Sequence, residues 1–107
     1  MGTSLARLLV PSPDRRRVLA RPNGLAGWML PVVPLGPEGW SADALSGAAR
    51  VVGAPVRPVR DLGDGAWEVE AQGRVPAVGV TWIALDEAAR LGADARVLHR
   101  WMHAGEG

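Results

Sequence analysis

The chain has 107 residues, 48% of them hydrophobic, and a formal net charge of +1 at pH 7. That length and apolar content describe one small folded domain rather than a disordered chain, and the near-neutral balance argues against a polyanion such as a specific nucleic acid as partner. The absence of Cys excludes disulfides and thiolate metal sites, and no apolar run approaches the ~20 residues needed to span a bilayer.

All twelve basic residues are Arg, and five Trp are the whole aromatic complement. With the Ala, Gly, Pro and Val load, this bias reads as the coding preference of a GC-rich bacterial genome. The N-terminus, one Arg and a short apolar patch followed by Pro11, Pro13 and three arginines, lacks the pattern of a secretory signal, so a cytoplasmic location is expected.

In chain order, Leu5 to Val10 predicts a first strand. Pro11-Ser12-Pro13-Asp14 is turn chemistry, because proline fixes φ and Asp bonds its own backbone. Val18 to Arg21 predicts a second strand, which makes a hairpin with Arg15, Arg16 and Arg17 near its tip. That triplet reads as a solvated turn, or alternatively as a phosphate or acidic-partner contact. Pro22-Asn23-Gly24 begins a loop to Trp28. Trp28 to Val33 predicts an edge or bulged strand, since Pro31 cannot donate to a ladder, and Pro34 to Gly39 an irregular loop.

A helix follows from Ser41, a favourable N-cap, with Asp43 in its first turn. Ala44, Leu45, Ala48, Ala49 and Val52 share one face, and Gly53 and Pro55 end it. Val56 to Leu62 predicts a strand, Gly63-Asp64-Gly65 a tight turn, and Trp67/Val69/Ala71 alternating with Glu68/Glu70 a half-buried strand with the acids in solvent. Gln72-Gly73-Arg74 turns the chain. Ala77 to Leu85, nearly continuous and apolar, predicts a central strand covered on both faces. Asp86 caps a short helix that stops at Gly92. Asp94 starts the last helix, with Val97, Leu98, Trp101 and Met102 as its buried stripe, and residues 103–107 form a frayed tail.

The order ββ-β-α-β-β-β-α-α predicts an α+β fold, an α/β/α sandwich with a mixed sheet flanked by helices. It is expected to be one domain over residues 1–107, with its core in about 5–102.

This layout resembles the Nudix fold. The entry RVLAR, the Gly27-Trp28 approach, Leu30-Pro31 before the loop, and Trp82-Ile83-Ala84-Leu85-Asp86 before a closing helix carry the resemblance over roughly residues 5–102. The Nudix signature is Gly, five residues, Glu, seven residues, Arg-Glu-apolar-x-Glu-Glu-x-Gly-apolar. It aligns without a gap from Val32 to Ala54. Val32 replaces the opening Gly and Glu38 is the first Glu. Ser46-Gly47 replaces Arg-Glu, and Ala48 is the apolar position. Arg50 and Val51 replace the paired glutamates, and Gly53-Ala54 closes the motif.

The resemblance implies a helix whose glutamates hold Mg²⁺ ions that bridge a diphosphate and activate water. Mg²⁺ demands carboxylate oxygens in octahedral geometry, whereas Gly47 and Val51 offer no ligand and Arg50 repels a cation. Mg²⁺-dependent hydrolysis through this helix is therefore not expected, nor is any metal or other cofactor.

Among other candidates, Glu68 with Glu70, and Asp86 with Glu87, read as a solvated strand face and a helix start. His99 and His103 have the spacing of two metal ligands on one helix face but no evident acidic third ligand. The expectation is a catalytically silent Nudix-like domain that binds a ligand or protein, with a protein partner or self-association, or a nucleotide-like small molecule. Glu38, Arg50, Trp28 and Trp40 are the candidate binding residues. Arg50 could meet a phosphate, and either Trp over the loop could stack on a base or simply pack. The alternatives are a diverged enzyme of the same fold acting through acids outside the signature, or an accessory domain of a larger assembly.

Overall fold

The apolar residues of the first strand point to both of its sides, and the architecture follows from that. The computed structural model describes residues 4–24, 27–73 and 79–104. Strand β1 (Ser4–Leu9) places Ala6 and Leu8, with Val10 just beyond, in one core and Leu9 in another. It lies inside a four-stranded sheet of order β4-β1-β6-β5, antiparallel to β4 (Val32–Leu35) and parallel to β6 (Ala66–Ala71). Strand β5 (Val56–Gly63) closes that sheet as an antiparallel hairpin with β6. A second, three-stranded sheet has the order β3-β2-β7, from β3 (Gly27–Met29), β2 (Arg17–Asn23) and β7 (Thr81–Ala84).

Helix α1 (Ala42–Val52) covers the core that contains Leu8, Val10, Leu19, Val33 and Val69. A 3₁₀ segment (Leu85–Asp94) and helix α2 (Ala95–Ala104) cover the other core, which contains Leu9, Val18, Ala20, Leu30 and Ile83. The result is the expected α+β arrangement, with a helix on each side of mixed sheet.

The termini of α1 are those expected. Ser41 Oγ accepts the Ala44 N–H at 3.2 Å, which satisfies one of the free amides of the first turn. At the far end Gly53 has φ 97° and donates to Ala49 O at 2.7 Å, a left-handed stop that a side chain would strain. Ala44, Ala48 and Val52 are its buried stripe. These small residues seat the helix closely, and a Cβ on Gly47 would lie 3.2 Å from Val33 Cγ2.

Several elements differ from the sequence expectation. The first two strands pair only at the Pro11–Val18 bridge and then enter different sheets, so they are not a hairpin. Proline at 11 and 13 removes two donors, and side chains take over the turn: Ser12 Oγ donates to Asp14 Oδ1 at 2.6 Å and accepts the Arg17 N–H at 3.0 Å. The segment 28–33 is two strands in two sheets rather than one. The break falls at buried Leu30-Pro31, where Pro31 has no N–H to continue a ladder, and its carbonyl accepts from Leu8 N–H at 2.8 Å. Part of the expected 34–39 loop is strand, since β4 runs to Leu35. The loop expected after Pro22 begins instead as antiparallel pairing of β2 with β3.

The apolar run 77–85 yields only a four-residue strand at the edge of its sheet, paired with β2 alone. Ala77, Val78 and Arg74 lie outside the described residues, as does the tail 105–107. On α2, Val97, Leu98 and Trp101 are buried, but Met102 is 51% exposed because it falls one position past the stripe. No helix among the described residues is long and apolar enough to cross a membrane.

Candidate functional site

The signature helix and the turn before it form a groove of about 330 Å³, walled by Val33, Pro34, Glu38, Ser41, Asp43 and Gly47 among others. Glu38 is exposed on a tight turn closed by Gly39 N–H donating to Gly36 O at 3.0 Å, with Gly39 at φ 73°. Asp43 reaches the same groove from the first turn of α1. It was legible in the sequence only as a helix-dipole residue. Arg50 is exposed, seven residues from Asp43 and so on the same side of the helix, about 10 Å further along its axis. Val51 is half-buried.

The two candidate tryptophans lie apart. Trp28 is half-buried against the core under α2, and Trp40 is half-buried against the core under α1, with its ring edge-on to Trp67 at 5.9 Å. Both indole Nε1 atoms are buried, with no acceptor among the described residues. Glu38 and Asp43 thus share a wall, Arg50 extends the same face, and neither Trp lines the groove.

The other acids are placed differently from one another. Glu70 is exposed and pairs with Arg57 at 3.3 Å, and Glu87 pairs with Arg90 at 3.5 Å. Glu68, expected in solvent, is only 4% exposed. Its β6 neighbour Ala66 is buried in the core under α2, and Glu68 faces Arg60 across the hairpin. Asp94 is also buried. It accepts the Leu30 N–H at 3.0 Å and pairs with Arg7 Nε at 2.8 Å, which ties the end of the 3₁₀ segment, the β3–β4 break and β1 together. His99 and His103 are exposed with ring centroids 4.2 Å apart. Among the described residues no group of three or more His, Cys, Asp or Glu is placed to hold a metal ion.

No protein-family model matches the chain, and no curated protein matches it in sequence. Solved structures do match. The C-terminal domain of mouse MUTYH, crystallised in complex with human PCNA, has a TM-score of 0.61 at 18% identity, covering 100% of this chain and 92% of that one. A NUDIX hydrolase from Nitrosomonas europaea has a TM-score of 0.59 at 14% identity, covering 94% and 88%. The fold is Nudix-like. At these identities the likeness concerns the fold alone.

Proposed function

We propose that this Nudix-like chain is a binding domain without Mg²⁺-dependent hydrolase activity. The observation that carries the reading is the signature helix itself, which is capped at both ends and seated normally, yet carries Gly47, Arg50 and Val51 at the positions of the metal-holding acids. The residues present do not fit the ion. Gly47 is held against Val33, Val51 is apolar, and Arg50 brings a fixed positive charge to the face where a divalent cation would sit. The groove keeps Glu38 and Asp43, but two carboxylates on exposed segments are a weak set for a cation that needs near-octahedral oxygen ligands.

A protein partner suits the fold. The mouse MUTYH domain, of similar shape, is one that crystallised with a protein bound to it. In this chain Arg50 would supply a charge-assisted contact to a partner's acidic group or to a nucleotide-like phosphate held without cleavage.

The test is a titration of the full chain with Mg²⁺ and Mn²⁺, read by thermal shift, beside a hydrolysis assay on nucleoside diphosphate substrates. The expected result is no turnover and no metal-dependent rise in melting temperature. The second reading, an enzyme working through Glu38 and Asp43, predicts metal-dependent turnover that is lost in Glu38→Gln. That result would overturn the binding-domain reading.

A further inference from the structure

The imidazole and thiol donors of this chain are few, and they are gathered in one place. It has two His and no Cys. Both imidazoles stand on α2, four residues apart, with ring centroids 4.2 Å apart and an interplanar angle of 61°. Side chains four apart on a helix lie one above the other on one face. Val97, Leu98 and Trp101 occupy the opposite face and are buried, so His99 and His103 stand in solvent.

The two rings are spaced as a chelate requires. Nitrogens held about 2.0–2.1 Å from one ion at the tetrahedral angle lie about 3.3 Å from each other. Rings with centroids 4.2 Å apart bring one nitrogen of each to that separation by turning about their Cβ–Cγ bonds. That torsion is soft, and exposed side chains change it readily. The helical backbone has already carried the second donor to the first, so capture of the ion by one ring makes capture by the other intramolecular.

The charges nearby allow a cation. His103 lies in the last turn of α2, where the terminal carbonyls make the helix end negative. Of the two arginines on this helix, Arg100 is turned to Asp64 and to the Leu62 carbonyl. Arg96 is exposed three residues before His99, where water and salt screen its charge.

The donor type narrows the ion. Neutral imidazole suits Zn²⁺, Ni²⁺ and Cu²⁺, whereas Mg²⁺ takes oxygen ligands. No third His, Asp or Glu joins the pair among the described residues, so the remaining positions on the ion fall to water.

We propose that His99 and His103 chelate one borderline divalent transition ion, of the class of Zn²⁺, Ni²⁺ and Cu²⁺, and that the ion clamps the last turn of α2. That turn carries Trp101 onto the core, so ion binding and the seating of the helix are linked. The site is on a different helix from the signature and takes a different class of ion. It stands whether or not the reading of the signature helix does.

The test uses the full chain, produced without a histidine tag, at about pH 8, where an imidazole is neutral. Zn²⁺ is titrated by calorimetry into the wild type, His99→Gln, His103→Gln and the double variant. Long-range ¹H–¹⁵N spectra of the imidazoles record which rings respond. Both positions are exposed, so the variants are expected to keep the fold. The expected result is one ion per chain, with both rings shifting together. Each single variant is expected to bind about tenfold or more weakly, close to the level of the double variant, because the loss of either ring destroys the chelate. Mg²⁺ is expected to give no response in the imidazole spectra. With Zn²⁺ bound, amide exchange in the last turn of α2 is expected to slow in the wild type and not in the double variant. Two ions per chain, single variants that keep wild-type affinity, a double variant that binds undiminished, shifts in one ring alone, or unchanged amide exchange would overturn the proposal.

Discussion

Asp94→Ala is the substitution whose cost can be worked most directly from the geometry. The Asp94 carboxylate accepts the N–H of Leu30, a residue with no exposed surface, at the point where β3 ends and the chain turns toward β4. Truncation leaves that amide buried with no acceptor, a desolvation cost of about 1–3 kcal/mol. The Arg7 pair at 2.8 Å adds less, because Arg7 is 44% exposed and solvent screens it, so about 0–1 kcal/mol is appropriate. The expected total is about 1–4 kcal/mol, or a fall in Tm of roughly 4–8 °C for each kcal/mol in a chain of this length.

Asp94→Asn separates the two contributions. Its amide oxygen can still accept from Leu30, so it should lose about 1 kcal/mol or less. Urea denaturation of the three chains, with m-values compared, measures this directly. Equal losses in Ala and Asn would mean that the Arg7 charge pair dominates. A loss below about 1 kcal/mol in Ala would mean that the Leu30 amide finds another partner. Either result refutes the reasoning.

Ser41→Ala should cost about 1 kcal/mol, since the Ala44 amide loses its cap, and urea unfolding will show it. Gly53→Ala should cost about 1–2 kcal/mol, because a Cβ is forced into the left-handed conformation at φ 97°. Asp14 is held below the usual carboxylate range, first by the Ser12 hydroxyl and then by the Arg16 amide. Because its folded value is the lower one, its contribution is present above the unfolded value and lost as pH falls through the folded value, that is, below about pH 4. In Ser12→Ala, an NMR titration of the Asp14 carboxyl should move upward toward the ordinary value, and an unmoved titration would refute the assignment.

The helix termini were legible because their chemistry is local. Ser41 and Gly53 each act on amides or carbonyls within four residues, so the sequence alone contains both partners. The sheets were less legible. Nothing between Leu5 and Val33 states that β1 and β2 part company, because strand partnership is decided by which cores receive their side chains. The run 77–85 reads as a buried central strand by composition, and its apolar character instead reflects packing of Ile83 and Trp82 at a sheet edge. The spacing of Glu38 and Arg50 was legible, but that Asp43 shares a groove with Glu38 depends on how the loop folds back.

Glu68 was misplaced for a more specific reason. Carried straight through from the Gly63-Asp64-Gly65 turn, the hairpin register sets Asp61 opposite Glu68, two like charges, which is unfavourable. The protein instead shifts register between Asp61 and Gly63, so Arg60 comes opposite Glu68, and a second shift between Pro58 and Arg60 brings Arg57 opposite Glu70. Such bulges leave no reliable mark in composition. The charge clash in the unshifted register is the one hint the sequence contained.

Strand β1 serves as a party wall. Its alternate side chains enter two separate cores, Leu8 on the side of α1 and Leu9 on the side of α2, and both are fully enclosed. A change at either position is felt next door through the same few peptide units, so the two halves cannot drift in sequence independently. Amides of this strand should be among the last to exchange with solvent, and repacking one half in the laboratory will succeed only when the other is allowed to answer.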